Sequence, residues 1–378
     1  MPYPNGKYTD GNRNTSHNDL PSLEPLDPSE GVDRYLRRRR SEVAEKTIDE
    51  YARKLDHFVE WCDEKDLENL NALSGRSLDD FRVWRREESS DEVDSLGPKT
   101  MRDDMYLFKS FLAYLESIEA VRPGLSELVE IPTLNRGEGI RDIELPPERV
   151  QEILNHLEKF KYGHREHVVW LLHCRTGRRP GDIHSLDVGD LQTDSNGWYL
   201  EFQHRPDADT RLKNGAKSEG QVPIPDFVGE VLEDYIESRR PDVTDQHGRK
   251  PLVASTYGRL SISVMRRYFY KWTRPCQISG NCPHNREIDA CDAANAVDKA
   301  SQCPSTEPPY AARHGYITEL RRAGTPPSVV SDRCDVSEEI IKKHYDERTT
   351  EDRRNLQREI LAKLTEESEN DTGGYMDS

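Results

Sequence analysis

Between residues 30 and 120, apolar positions recur at the three- and four-residue spacing of an α-helix. Tyr51, Leu55, Phe58, Val59 and Cys62 mark one such face, and Thr47 with Glu50 fits a capping box at its start. Leu78, Phe81 and Trp84 mark a second. The stretch "SLGPKTMRDDMYLFKSFLAYLE" opens a third, with Thr100 as its cap and Met105, Phe108, Phe111, Leu112 and Leu115 as its stripe. Together they predict a small all-α domain over residues 29–122. Residues 1–28, rich in Pro, Gly, Asn, Asp and Ser, lack such periodicity and read as a disordered tail. After the helical stretch, "VRPGLSELVEIPTLNRGEGI" carries the Pro and Gly of a linker, placed at 123–140.

A second, larger domain is expected over 141–348. "PPERVQEILNHLEKF", "HREHVVWLLHCRTG", "DFVGEVLEDYIESRR" and "SISVMRRYFYKWTR" predict helices, while "GWYLEF", "TRLK" and "QVPIP" predict short strands. After residue 306 the pattern is helical to about residue 367. Residues 349–378 are expected to form a C-terminal helix and a disordered end. The amphipathic "TEDRRNLQREILAKL" there suits either a neighbouring protomer or the chain's own core. The expected fold class is mainly α (α+β), with a small antiparallel sheet in the second domain.

Composition changes the picture in one respect. The formal net charge is −17, from 71 acidic and 54 basic residues, and only 34% of residues are hydrophobic. Such a charge ordinarily argues against a DNA partner. Yet only 16 of the 54 basic residues are lysines, leaving 54 − 16 = 38 arginines. Acid excess, scarce lysine and lean apolar content together suit a protein adapted to molar salt, where charge is screened within about 3 Å, with an acidic mesophilic protein as the alternative. Net charge then says little about DNA, and local arginine clusters say more. The 378 residues suit about two domains. No apolar run is long enough to span a bilayer and no signal-peptide pattern opens the chain, so a cytoplasmic protein with reduced or metal-bound thiols is expected.

Four places carry candidate chemistry. In "RTGRRPGDIHSLDVGDL", Arg179 stands where one helix ends and another opens, with Asp182 three residues on to orient it. A guanidinium there can present a bidentate fork to an anion. In "TRLKNGAKSEGQVPIP", Lys213 ends a strand and Lys217 lies in the following turn. "PPYAARHGYITELRR" supplies Arg313, with Tyr310 three residues before it and His314 beside it. Tyr345 follows 345 − 313 = 32 positions later in "IKKHYDERT". Taken one at a time these have ordinary readings. They are surface arginines, solvated turn lysines, and a tyrosine packing at helical spacing from Ile341.

Taken together, the "TGxR" box, the lysine hairpin, the arginine on a later helix and the C-terminal tyrosine resemble the tyrosine recombinase (phage integrase) superfamily. The resemblance covers roughly residues 30–348, and the preceding helical domain resembles the family's SAM-like core-binding domain. The phrases "TRPC…CPH" and "DRCDVSEEIIKKHYD" are similar to its archaeal, halophilic XerC/XerD-like branch. The resemblance implies a site-specific recombinase or integrase acting on double-stranded DNA. Two domains would clamp the duplex, with a homo-tetramer on DNA and no nucleotide cofactor or catalytic metal. Arg179 and Arg313 would hold the scissile phosphate, Tyr345 would attack it, and Lys213, in preference to Lys217, would protonate the leaving oxygen.

The sequence departs from the family pattern. Tyr310 stands where the second box has histidine, Cys334 where the third box has histidine or tryptophan, and Asp182 where glutamate is commoner. His314 and His344 are the nearest imidazoles, but adjacent helical positions diverge by about 100°. The rival expectations are a catalytically impaired DNA-binding regulator on the same fold and a type IB topoisomerase.

Cys276, Cys282, Cys291 and Cys303 fall within 28 residues, and they are four of the chain's seven cysteines. His284 lies among them. Four soft ligands suit tetrahedral zinc, although the spacing follows no standard finger. The two arginines stand 313 − 179 = 134 positions apart. That is long for the family, so 275–308 reads as a Cys-rich insertion stapled by structural zinc, with an iron–sulfur cluster or unliganded thiols as the alternatives.

Overall fold

The computed structural model describes residues 23–89, 95–135 and 145–344, together with positions 354, 357, 358 and 361. The chain divides into two compact units, residues 1–141 and 142–378.

The first unit is built from helices α1 (Pro28–Arg39), α2 (Glu45–Glu64), α3 (Gly75–Glu87) and α4 (Pro98–Ser117). Phe58 of α2 lies at its centre, its ring 5.4 Å from Phe81, 5.0 Å from Phe108 and 5.8 Å from Phe111. Each such aromatic pair adds about 0.5–1.5 kcal/mol beyond the area it buries. The helical faces expected from the sequence are the faces buried here.

The helix starts differ from expectation. Thr47 and Glu50 lie inside α2, which is preceded by Ala44, and Thr100 lies inside α4, which opens with Gly97-Pro98. Proline at the first helical position is preorganised for the turn and lacks only a hydrogen that has no helical acceptor. A true capping box occurs at Ser74–Ser77, at the start of α3. Leu26, within the stretch expected as tail, packs on this core, as do Leu125 and Val129 of the expected linker.

The second unit is organised around α6 (Arg165–Thr176), with α5 (Pro147–Lys161), α7 (Pro180–Ser185), α8 (Asp226–Ser238) and α9 (Ile262–Trp272) about it. Residues 167–174 of α6 are all buried, and Trp170 stacks on Phe269 of α9 at 4.1 Å. A helix apolar on every side must be buried on every side.

A three-stranded antiparallel sheet is formed by β1 (Leu191–Asp194), β2 (Gly197–Phe202) and β3 (Gly220–Pro223). Leu191 faces Leu200, and Leu200 faces Val222, so one face of the sheet joins the core. The "TRLK" segment is not a strand. Thr210 makes a lone bridge to Arg205, and residues 203–219 form a loop between β2 and β3. Strands β4 (Ala254–Ser255) and β5 (Gly258–Arg259) form a small hairpin.

The short helices α10 (Cys276–Ser279) and α11 (Asp292–Asn295) lie in the Cys-rich stretch. Helices α12 (Pro309–Arg322), α13 (Pro327–Cys334) and α14 (Glu338–His344) follow. Ala311 and Ala312 of α12 join the main core, while Ile317, Val330, Cys334, Val336 and Ile341 form a smaller one. Ile341 therefore anchors α14 immediately before position 345. No described helix is long and apolar enough to cross a membrane.

Candidate functional site

The site is assembled where α6 stops. Gly177 ends that helix in the left-handed conformation, at φ +64°, and its N–H bonds to the His173 carbonyl. A Cβ here would stand 2.6 Å from the Tyr316 ring and 2.8 Å from Cys334 Sγ. Glycine therefore meets both requirements, the positive φ and the close approach.

The next two residues are both arginines with opposite fates. Arg178 is buried, with its guanidinium 4.4 Å from the centre of the Phe202 ring. It donates to the carbonyls of Ser218 at 2.9 Å, Arg333 at 2.9 Å and Asp332 at 3.1 Å. It thus ties the end of α6 to the 203–219 loop and to the C-terminal carbonyls of α13, where positive charge is favoured.

Arg179 remains 23% exposed and pairs its Nη1 with the Asp335 carboxylate. Asp182 was expected to orient the Arg179 side chain. Instead it accepts the Arg179 backbone N–H at 3.1 Å, capping α7. Burial pushes the Asp182 carboxyl up, against the nearby Arg178 and Arg179 charges.

Arg313, on α12, is buried and reaches the same corner. It donates to the carbonyl of Gly177 at 2.5 Å, to that of Cys334, and to that of Asp335 at 3.2 Å. Arg179 and Arg313 thus meet at one residue, which the first holds by its carboxylate and the second by its carbonyl.

Asp335 was not singled out in the sequence. It sits at φ +51° in the turn between α13 and α14. Its carboxylate also accepts from Ser218 Oγ at 2.7 Å and from Asn214 Nδ2 at 3.2 Å. Burial alone would raise its pKa. The Ser218 hydroxyl, the Arg179 charge and Asn214 outweigh burial and hold the carboxyl below its ordinary value.

Cys334, the expected third-box residue, is fully buried, with Sγ directed at the Thr176 carbonyl at 3.7 Å. Burial pushes its thiol up to about 11. It is a packing residue, and the polar group of this corner comes one position later. The available signal for Asp335 was the "CDVS" turn between two helical patterns, where Asp tolerates positive φ.

Lys213 and Lys217 are exposed in the 203–219 loop, beside Asn214 and Ser218. Lys213 therefore lies in a turn, not at a strand end. Tyr310 is half exposed, with its ring 6.3 Å from that of His314. Tyr345, the side chain of His344, and most of 349–378 lie outside the described residues.

In the Cys-rich stretch, Cys276, Cys282, Cys291 and Cys303 line one pocket together with His284. All four cysteines are half-buried. Burial raises the Cys276 thiol, and the neighbouring Cys303 and Cys282 raise it further. His284 Nε2 bonds to Ser305 Oγ at 2.8 Å. Among the described residues, no three His, Cys, Asp or Glu side chains stand closed around a metal position.

Residues 144–351 match the model of the phage integrase family, and residues 32–120 match that of the phage integrase N-terminal SAM-like domain. A search of curated proteins found no match. Among solved structures, similarity extends to a lambda integrase dimer bound to a COC′ core site, with a TM-score of 0.57 and 13% identity. That match covers 86% of this chain and 79% of that one. The Tn1549 transposon integrase in complex with transposon right end DNA gives a TM-score of 0.56 and 15% identity, over 89% of this chain and 100% of that one. The N-terminal domain of a phage integrase/site-specific recombinase from Haloarcula marismortui is 35% identical over 29% of this chain and 99% of that one, with a TM-score of 0.27. The first two likenesses show the recombinase fold.

Proposed function

Because the chain belongs to the phage integrase family, we propose that it is a site-specific DNA recombinase that cleaves and rejoins strands through a 3′-phosphotyrosyl intermediate on Tyr345. The observation that carries this reading is the convergence of Arg179 and Arg313, 134 positions apart in sequence, on the Asp335 corner.

In the proposed reaction both guanidinium groups face the non-bridging oxygens of the scissile phosphate. They stabilise the charge that builds there in the transition state. Tyr345 Oη attacks phosphorus in line, the bond to the 5′ oxygen breaks, and Lys213 gives that oxygen a proton. A 5′-OH from a partner strand reverses the step. One phosphodiester is exchanged for one phosphotyrosyl bond, so the bond energy is kept and no nucleotide cofactor is consumed.

Tyr310 occupies the position where the family usually has histidine. A phenol with an ordinary pKa of about 10 accepts a proton poorly near neutrality. Cleavage slower by about 10²–10⁴ is the consequence. Exchange between two duplexes needs four cleavages, so four protomers assemble on DNA.

The Cys-rich stretch has a structural part in this reading. Its buried side chains are small, Ala293 and Ala300, too little to hold a fold. The four thiols that share one pocket offer the soft donor set of a structural zinc ion, with His284 as an alternative ligand. Binding would draw them inward and staple the insertion.

Covalent capture tests the function. Nicked suicide DNA bearing a candidate attachment site is incubated in molar KCl with the wild type and with Tyr345→Phe. The expected result is a protein–DNA adduct that the Phe variant does not form. Absence of any adduct on DNA the protein binds at that site overturns the enzyme reading in favour of a DNA-binding regulator. Relaxation of supercoiled plasmid without sequence preference favours a topoisomerase.

A further inference from the structure

We propose that Arg179, Asn214 and Ser218 form an anion cradle whose resident occupant is the Asp335 carboxylate, and that a DNA phosphodiester binds by displacing it. The assignment of the incoming anion as DNA rests on the function proposed above. The cradle itself does not.

Three donors of different chemical type converge on one carboxylate. Arg179 Nη1 pairs with Oδ2, Ser218 Oγ donates to Oδ2 at 2.7 Å, and Asn214 Nδ2 donates to Oδ1 at 3.2 Å and to Oδ2 at 3.4 Å. The donors come from the start of α7 and from the 203–219 loop, while their shared acceptor comes from the turn after α13. A carboxylate and a phosphodiester each present two oxygens sharing one negative charge, so donors that fit the first also fit the second.

The occupant is held at φ +51°, a conformation that non-glycine residues seldom adopt. Its carbonyl meanwhile accepts from Arg313. One residue therefore engages both arginines assigned to the phosphate. A carboxylate at this point repels an incoming phosphate, and its removal from the cradle by side-chain rotation frees three donors at once.

The cradle also gives the 203–219 loop a role beyond its lysines. Asn214 directly follows Lys213, and Ser218 directly follows Lys217, so exposed cations flank both neutral donors. The inference adds Asn214 and Ser218 as phosphate-contact residues and Asp335 as the group that competes with DNA.

The test uses the full-length protein in KCl, with inorganic phosphate and the suicide DNA as separate probes. Asp335→Asn keeps a residue type that tolerates positive φ. It is expected to bind inorganic phosphate about tenfold more tightly than the wild type, the scale of one hydrogen bond to a charged group. It is also expected to bind DNA more tightly. Asn214→Ala, at an exposed position, is expected to weaken phosphate binding by roughly fivefold.

Unchanged phosphate affinity in both variants overturns the cradle, whatever the DNA result. Tighter phosphate binding by Asp335→Asn without any DNA binding supports the cradle and overturns its DNA occupant. If the Asn variant does not fold, the Asn214→Ala phosphate measurement decides: weakening supports the cradle, and no change overturns it.

Discussion

Arg178 and Arg179 are adjacent in sequence, and the structure gives them different work. Arg178 spends its guanidinium on three carbonyls and the Phe202 ring inside the protein. Arg179, after the chain has reversed at Gly177, keeps partial exposure and faces Asp335. Arg178→Lys is expected to lower stability by about 3 kcal/mol, since an ammonium cannot reproduce the planar fork and leaves buried carbonyls unpaired. Arg179→Lys is expected to cost under about 1 kcal/mol of stability. It should slow adduct formation by about 10²–10³, as for loss of one donor to a developing oxyanion. Urea denaturation and single-turnover capture on both variants check the contrast, and equal stability losses would contradict it. The TGxR box and its resemblance to a known family single out Arg179 in the sequence. They carry no sign that Asp335, and not Cys334, supplies the polar group across from it, because that pairing spans 156 positions.

At the scale of elements, the site depends on what lies between helices more than on the helices themselves. Among the described long helices of the second unit, α5, α8 and α9 are legible because each buries an apolar stripe of period 3.6, and α6 because it is apolar on every side. Within the 203–219 loop, Thr210–Lys213 reads as a strand because Arg211-Leu212-Lys213 alternates like one. In the structure Leu212 turns into the core and the His204 ring takes the Leu212 N–H at 3.0 Å, a bond that no ladder supplies. The Cys-rich stretch belongs to this scale too. Purified protein is expected to carry about one zinc per chain, and a strong chelator should lower the melting temperature. Double Cys276→Ser, Cys303→Ser protein should lack the metal, and a cobalt-substituted sample should show thiolate charge-transfer bands. Metal-free protein with unaltered melting would remove zinc from the account.

At the scale of the whole molecule, the buried imidazoles set an acid limit on stability. His173 is fully buried on α6, with Nδ1 bonded to the Val169 carbonyl at 2.7 Å and its ring 5.0 Å from Phe269. Burial lowers His173 and His167 each to about 4. The unfolded chain, with an ordinary histidine pKa of about 6.5, binds these protons first as pH falls. The stability is therefore complete above pH 6.5 and declines as pH drops toward 4, by about 3 kcal/mol per histidine. His173→Leu is expected to flatten the denaturation midpoint across that window in molar salt. A slope identical to the wild type would contradict it. Carboxyls held low against burial, Asp335 chiefly by the Ser218 hydroxyl and Arg179 and Asp245 chiefly by Arg259, act in a separate window below it.

The sequence by itself determined the helical cores of both units, because these follow from local periodicity, while the arginine boxes stand out only through the resemblance to a known family. Phe58, Phe81, Phe108 and Phe111 had to share a core once three apolar stripes were present. Only the tertiary structure decided which groups face Arg179 and Arg313. Asn214, Ser218 and Asp335 have no periodic signature, and each acquires its role from a partner far away in the chain. The reversal at Gly177 and the turn at Asp335, both at positive φ, bring those partners together. Contacts made at such turns depend on where the connected helices are packed, which no local pattern of residues encodes.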